Sequence, residues 1–162
     1  MFGFMKNDDS LVVKSPFNGK VVKTEDIPDK VFAQEMVGKG AAIKPSNDLV
    51  KSPIKGEIVQ LASKKHAVGI ESPNGLELLI HLGIDSVELE GEGFETLVEV
   101  GDKIEVGDKL IKVDWERIKN KITSSITPIV ITNKEKVKEI KLIAEDKIET
   151  GDDFFEVVLK DK

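Results

Sequence analysis

The chain holds two histidines, His66 in KKHAVGI and His81 in LLIHLGID, and no cysteine. Imidazole is the side chain whose ordinary titration falls near neutrality, so it can serve there as nucleophile, proton carrier or metal ligand. The lack of cysteine removes disulfides, thiolate metal sites and thiol nucleophiles. A lone histidine among aliphatic residues is usually a packed structural group. A second one brought beside it by a single hairpin changes that balance.

The segment HAVGIESPNGLELLIH (66–81) predicts such a hairpin, with apolar stretches flanking the turn residues SPNG. If the turn is centred between Pro73 and Asn74, Glu71 pairs with Leu76 and His66 with His81. If Asn74-Gly75 is a two-residue loop, His66 faces Gly83 and the histidines are diagonal neighbours. Both registers put the imidazoles on one side of the sheet, because side chains alternate with period two. An odd loop would put them on opposite faces. Directly opposed residues have Cβ atoms about 4.5–5.5 Å apart, close enough for two rings to address one small group. Alternation turns Leu76, Leu78, Ile80 and Leu82 inward. It leaves His81 outward with Glu77, Leu79 and Gly83, the glycine giving room beside the ring.

Two chemistries use a histidine pair. A catalytic zinc takes three protein ligands, and only Asp85 is at hand to complete such a set, with no further base beside it. In phosphoryl transfer a neutral imidazole attacks phosphorus, while a second hydrogen-bonds the transferred group and stabilises its charge. No Walker or Gly-rich nucleotide loop is present, so the expected donor is another phosphorylated protein and not ATP.

The elements that must position these residues read as short strands. SPFNGKVV (15–22) returns as SPIKGEIV (52–59), with a looser echo, TPIVIT, at 127–132. In the first two, Ser-Pro opens the segment, a Gly allows a turn and an alternating strand follows. VGDKIEVGDKL (100–110) carries Gly-Asp turns between apolar pairs. Further strands are expected near 41–44, 66–71, 76–82, 96–99, 109–113, 128–132, 137–143 and 154–159. Helices are expected over 31–38, with Asp29 near the start, and over 114–122, with Asp114 as N-cap. The pattern predicts an all-β sandwich or barrel with internal near-repeats and one or two short helices. Residues 1–10 read as a flexible tail and 11–162 as a single domain. Phe2, Phe4 and Met5 make a loose terminus rather than a membrane anchor, since one small apolar cluster binds lipid weakly.

A net charge of −6 argues against a nucleic-acid partner. No apolar run approaches the ~20 residues of a membrane span. With no secretory signal, a cytoplasmic protein is expected.

EDIPDKVFAQEMVGKGAAIKP (25–45), KKHAVGIESPNGLELLIHLGIDSVELEGEGF (64–94), VGDKL (106–110) and TPIVITN (127–133) resemble the glucose-class enzyme IIA of the bacterial phosphoenolpyruvate-dependent sugar phosphotransferase system. The likeness runs from about residue 12 to 160. It implies a compact antiparallel β-sandwich or barrel, in which His81 carries a phosphoryl group and His66 hydrogen-bonds the phosphate and assists its transfer. The implied donor is the histidine-phosphocarrier protein, and the acceptor a cysteine on a sugar-specific IIB domain. An apolar docking dish maps to Val31, Phe32, Met36, Val37, Leu79 and Val87, with Asp29 and Asp85 meeting a basic patch on the donor. No cofactor is required. Members of the family also bind target proteins according to phosphorylation state, so the alternative reading is a regulatory binding module, where zinc could be shared by His66, His81 and a partner's carboxylate. A zinc hydrolase is the weaker alternative, because no His-x-His pair is present. A biotinyl or lipoyl carrier would need a lysine at the hairpin tip, which is Pro73-Asn74.

The sequence departs from the family at Lys64, where a threonine usually orients the first histidine. Ser63 or a backbone carbonyl is then expected to hold the His66 ring, or the ring is held less firmly. Ala62, in place of an aromatic, predicts a flatter dish.

Overall fold

The two Ser-Pro-x-x-Gly segments adopt one local structure twice. Ser15 and Ser52 are both buried, and their hydroxyls donate to the carbonyls of Phe17 (2.6 Å) and Ile54 (2.7 Å). That bond closes a turn and delivers Phe17 and Ile54 to the core. The glycines are required by close approach: a Cβ on Gly19 would lie 2.2 Å from the Lys44 carbonyl oxygen, and one on Gly56 2.2 Å from that of Glu71. The two segments bond to each other reciprocally, Lys14 N–H to Pro53 O (2.9 Å) and Lys51 N–H to Pro16 O (3.1 Å).

The computed structural model describes residues 9–160. In chain order the strands are β1 (Ser10–Lys14), β2 (Gly19–Val22), β3 (Lys39–Pro45), β4 (Leu49–Lys51), β5 (Gly56–Leu61), β6 (Ala67–Glu71) and β7 (Glu77–His81). They continue as β8 (Phe94–Thr96), β9 (Lys103–Ile104), β10 (Lys109–Val113), β11 (Thr127–Ile131), β12 (Val137–Leu142), β13 (Lys147–Ile148) and β14 (Asp153–Leu159). They form an eight-stranded sheet, β13-β2-β3-β11-β7-β6-β5-β9, and two three-stranded sheets, β1-β14-β12 and β4-β10-β8. Among the described residues these strands pair antiparallel throughout. None of these sheets closes on itself among the described residues, so of the two expected architectures the chain adopts the sandwich.

The duplication extends beyond Ser-Pro-x-x-Gly. DKIEVGD (102–108) and DKIETGD (146–152) supply β9 and β13, which pair with the glycine ends of β5 and β2. Gly107 N–H and Gly151 N–H both donate 2.9 Å bonds to the carbonyls of Ser52 and Ser15. The large sheet is thus symmetric in layout about its central pair, β11 and β7. The echo at 127–132 has a different place: it is that central strand β11, bonded on one side to β3 and on the other to β7.

The expected helices are present but short. α1 (Lys30–Ala33) is one turn, capped by the Asp29 carboxylate, and ends before Glu35, whose φ is +58°. α2 (Trp115–Ile118) is capped by Asp114, as the sequence predicts. The strand expected at 96–99 is shifted to β8. The tail expected over 1–10 overlaps β1 at Ser10, while residues 1–8, with Phe2, Phe4 and Met5, lie outside the described residues.

Candidate functional site

The β6–β7 hairpin brings the histidines together by a route the register did not predict. Glu71 pairs with Glu77 and Ala67 with His81, so the loop Ser72–Leu76 is odd and both expected registers are off by one. Ser72 sets this loop: its N–H donates to Leu76 O (2.8 Å) and its buried hydroxyl accepts from Leu76 N–H (3.0 Å). On strict alternation His66 lies opposite Leu82, whose N–H donates to His66 O (2.7 Å), and faces away from His81. The rings meet because His66 precedes β6, outside the pleat. Lys65 before it has a φ of +64°, which turns the chain. The ring centroids are 5.1 Å apart and the planes nearly perpendicular, at 81°.

His81 ends β7 half-buried. Its Nδ1 lies 2.8 Å from the carbonyl oxygen of Gly83. A carbonyl only accepts, so Nδ1 carries the proton and Nε2 keeps its lone pair. The Phe32 ring packs against the imidazole at 5.1 Å. His66 differs: its Nδ1 is buried and has no hydrogen-bond partner among the described residues. Ser63 is exposed, and among the described residues neither its hydroxyl nor a backbone carbonyl bonds that nitrogen. Lys64 pairs instead with Glu90 at 3.4 Å.

The remaining predicted residues surround this pair unevenly. Val31 (44% exposed), Met36 (62%) and Val87 (47%) stand out to solvent, and Leu79 is half-buried. Phe32 is buried instead and joins a small cluster with Ile27, Ala42 and Ile84, with Val37 packed against it. Asp29 spends one carboxylate oxygen on the N–H groups of Val31 (2.8 Å) and Phe32 (3.4 Å). Asp85 bonds the Thr123 hydroxyl. Gly83 does not leave open room beside the ring. A Cβ there would meet Ser124 O at 3.0 Å and Ile122 Cδ1 at 3.2 Å, and its φ of +76° suits glycine. Among the described residues no three His, Asp or Glu groups come together to hold a metal ion, and Asp85 completes no such set.

Of the segment 123–127, which clamps the loop after His81, the sequence singled out only Thr127, as the start of TPIVIT, and nothing in it pointed to the clamp. Gly83 N–H donates to Thr127 Oγ1, Ile84 N–H to Ser124 O, and Thr123 N–H to Ile84 O.

Burial holds both imidazoles below their ordinary 6.5, and His81 lowers His66 further. For His81 the Gly83 carbonyl and the carboxylates of Asp29 and Asp85 pull upward without overcoming desolvation. Unfolding therefore takes up protons as pH falls below 6.5. The unfolded chain binds more protons there, so stability falls with falling pH until the folded-state values are passed. A His66→Gln/His81→Gln double variant is expected to lose less of its urea midpoint between about pH 7 and about pH 5.5 than the parent. Identical slopes would refute this assignment.

Two open grooves of about 670 and 700 Å³ flank Gly56 with Lys103–Glu105 and Gly19 with Lys147–Glu149. They are related by the duplication and come with the fold. The histidines line neither groove; they are half-buried, with the Phe32 ring against His81.

Fold and site together define a β-sandwich that holds two half-buried imidazoles side by side. Residues 11–137 match the family described as phosphoenolpyruvate-dependent sugar phosphotransferase system, EIIA 1, and the chain belongs to that family of phosphotransferase components. A Staphylococcus epidermidis protein, "PTS system glucose-specific EIIA component", is 48% identical over 143 residues, covering 88% of this chain and 86% of its own length. An Oceanobacillus iheyensis protein with the same description is 46% identical over 142 residues, covering 88% and 86%. The solved glucose permease IIA from Mycoplasma capricolum superposes with a TM-score of 0.86 at 33% identity, over 91% of this chain and 95% of that one. Among the described residues no helix is long and apolar enough to cross a membrane.

Proposed function

We propose that the protein is a cytoplasmic phosphoryl carrier of glucose uptake. His81 accepts the phosphoryl group of the histidine-phosphocarrier protein and passes it to a cysteine of a sugar-specific IIB domain. The observation that carries this reading is the bond from His81 Nδ1 to Gly83 O, which leaves Nε2 unprotonated beside a second imidazole.

In the accepting step the Nε2 lone pair forms the new N–P bond as the donor's N–P bond breaks, its electron pair returning to the donor ring. Positive charge develops on the His81 imidazole. The Gly83 carbonyl and the negative charges of Asp29 and Asp85 favour that charge. An N–H of His66 meets the phosphoryl oxygens, and the depressed protonation of both rings keeps the nucleophile neutral near pH 7. Onward transfer reverses these changes. A thiolate attacks phosphorus and the N–P pair returns to Nε2. All atoms of both steps come from the proteins, so no cofactor is needed. Val31, Met36 and Val87 give the partner a dry contact that keeps water from the phosphohistidine, and Asp29 and Asp85 suit a basic donor.

The test is to supply phosphoenolpyruvate, the general phosphotransferase and the phosphocarrier, then examine the protein. One phosphate per chain is expected, acid-labile and base-stable, on a peptide containing His81. An acid-stable phosphate would overturn the reading. His66→Ala is expected to slow onward transfer by roughly 10²-fold or more, since it removes a donor to the transferring group. Unchanged transfer would remove that role from His66.

A further inference from the structure

The Gly83 carbonyl can set the tautomer of His81 only if its own peptide is held, and the holding groups come from β11 and the loop before it. Thr127 is fully buried at the first position of β11. Its hydroxyl donates to Ser125 O (3.0 Å), which turns an oxygen lone pair toward Gly83 N–H (3.3 Å). On the other side of Gly83, Ile84 N–H donates to Ser124 O (2.8 Å). Both peptides flanking the Gly83 α-carbon are thereby pinned, and its carbonyl is left aimed at Nδ1. The left-handed φ of +76° makes this bracing necessary, because a glycine released from it can rotate freely.

We infer that Thr127 is a positioning residue for His81: through Gly83 it holds the carbonyl that keeps the proton on Nδ1 and leaves Nε2 to form the N–P bond. The inference rests on His81 being the phosphoryl acceptor. Thr127 touches neither the ring nor the phosphoryl group, so its effect is on the tautomer and on the fraction of rings ready to attack. The Nδ1 proton stays in place throughout the step, shared with Gly83 O as the ring becomes cationic, and Thr127 exchanges no proton with it.

The readout is the ¹⁵N shift pattern of the His81 ring in unphosphorylated protein, followed by phosphoryl transfer from the carrier. The parent is expected to show a single Nδ1–H tautomer. Thr127→Val keeps the shape and removes the acceptor, and is expected to give a tautomer mixture with transfer slowed roughly tenfold, the scale of losing an outer partner of a functional histidine. Thr127→Ser restores the hydroxyl and is expected to restore both. Thr127→Cys, with a weak sulfur acceptor, is expected to follow the valine variant and decides the matter if that variant does not fold. Folding is read separately, from the cooperative urea transition of each variant.

An Nδ1–H tautomer and parental transfer in a folded variant lacking the hydroxyl would overturn the inference. So would equal losses in the serine and cysteine variants with the tautomer unchanged, since that marks a merely structural role. The tautomer is measured without phosphate, so it stands apart from the assignment of His81 as acceptor. That assignment fails separately, if phosphate is found on another residue.

Discussion

His81→Ala is expected to fold and to accept no phosphoryl group. The side chain is half-buried at the end of β7 and touches Phe32 and His66 without filling the main core. Its removal is expected to cost about 1 kcal/mol, small against the roughly 5–15 kcal/mol of a domain this size. Chemistry has no substitute. The chain has no cysteine, and among the described residues no carbonyl bonds the buried Nδ1 of the one remaining imidazole, His66. Labelling through the carrier is therefore expected to fall by at least roughly a thousandfold, the scale on which removing a nucleophile acts. The carrier itself should remain phosphorylated when mixed with the variant. Retained labelling of His81→Ala, with its thermal unfolding close to that of the parent, would place the acceptor elsewhere.

How far the site was legible in sequence depended on whether its causes were local. The Ser-Pro-x-x-Gly repeats were readable because each residue answers a local demand: a hydroxyl for the turn, a fixed φ, and a glycine against a neighbouring carbonyl. The strands followed from alternation for a similar reason. The hairpin register did not, because Ser72 closes a loop one residue different from either expected turn. The histidines were correctly judged neighbours on a wrong premise, since His66 lies outside the pleat and owes its place to the turn at Lys65. The helix at 31–38 overshot because Glu35 adopts a left-handed conformation with no glycine to signal it. Phe32 was expected in an exposed dish and lies beneath it, a distinction helical spacing cannot make between adjacent residues. The 123–127 clamp was invisible because its only meaning is tertiary: it lies far along the chain from Gly83 and meets it through backbone groups that any residue supplies. Thr127 is the exception, a buried hydroxyl whose partner appears only once β11 is set beside β7.

That clamp makes Gly83→Ala the other change with a large expected effect, and one that separates fold from function. Alanine at a φ of +76° is strained, and its Cβ would press on Ser124 O at 3.0 Å and Ile122 Cδ1 at 3.2 Å. Relief comes from rotating the residue or from moving the 123–127 segment. Both swing the Gly83 carbonyl off Nδ1, because that carbonyl belongs to the strained residue. The strain costs about 1–3 kcal/mol, which leaves the variant folded. Transfer from the carrier is expected to fall on the order of tenfold to a hundredfold, and the His81 ring to lose its single tautomer. Gly101→Ala supplies the control. Gly101 has a φ of +99° and nothing within 4 Å of the added methyl, far along the chain from the histidines, so it carries backbone strain without touching the site. Measured where both variants are fully folded, Gly101→Ala should lose stability and transfer at the parental rate. If Gly83→Ala also transferred at that rate, the carbonyl would have no part in readying His81. If the two variants lost transfer in equal measure, the cause would be general destabilisation and not the aim of one peptide at one ring nitrogen.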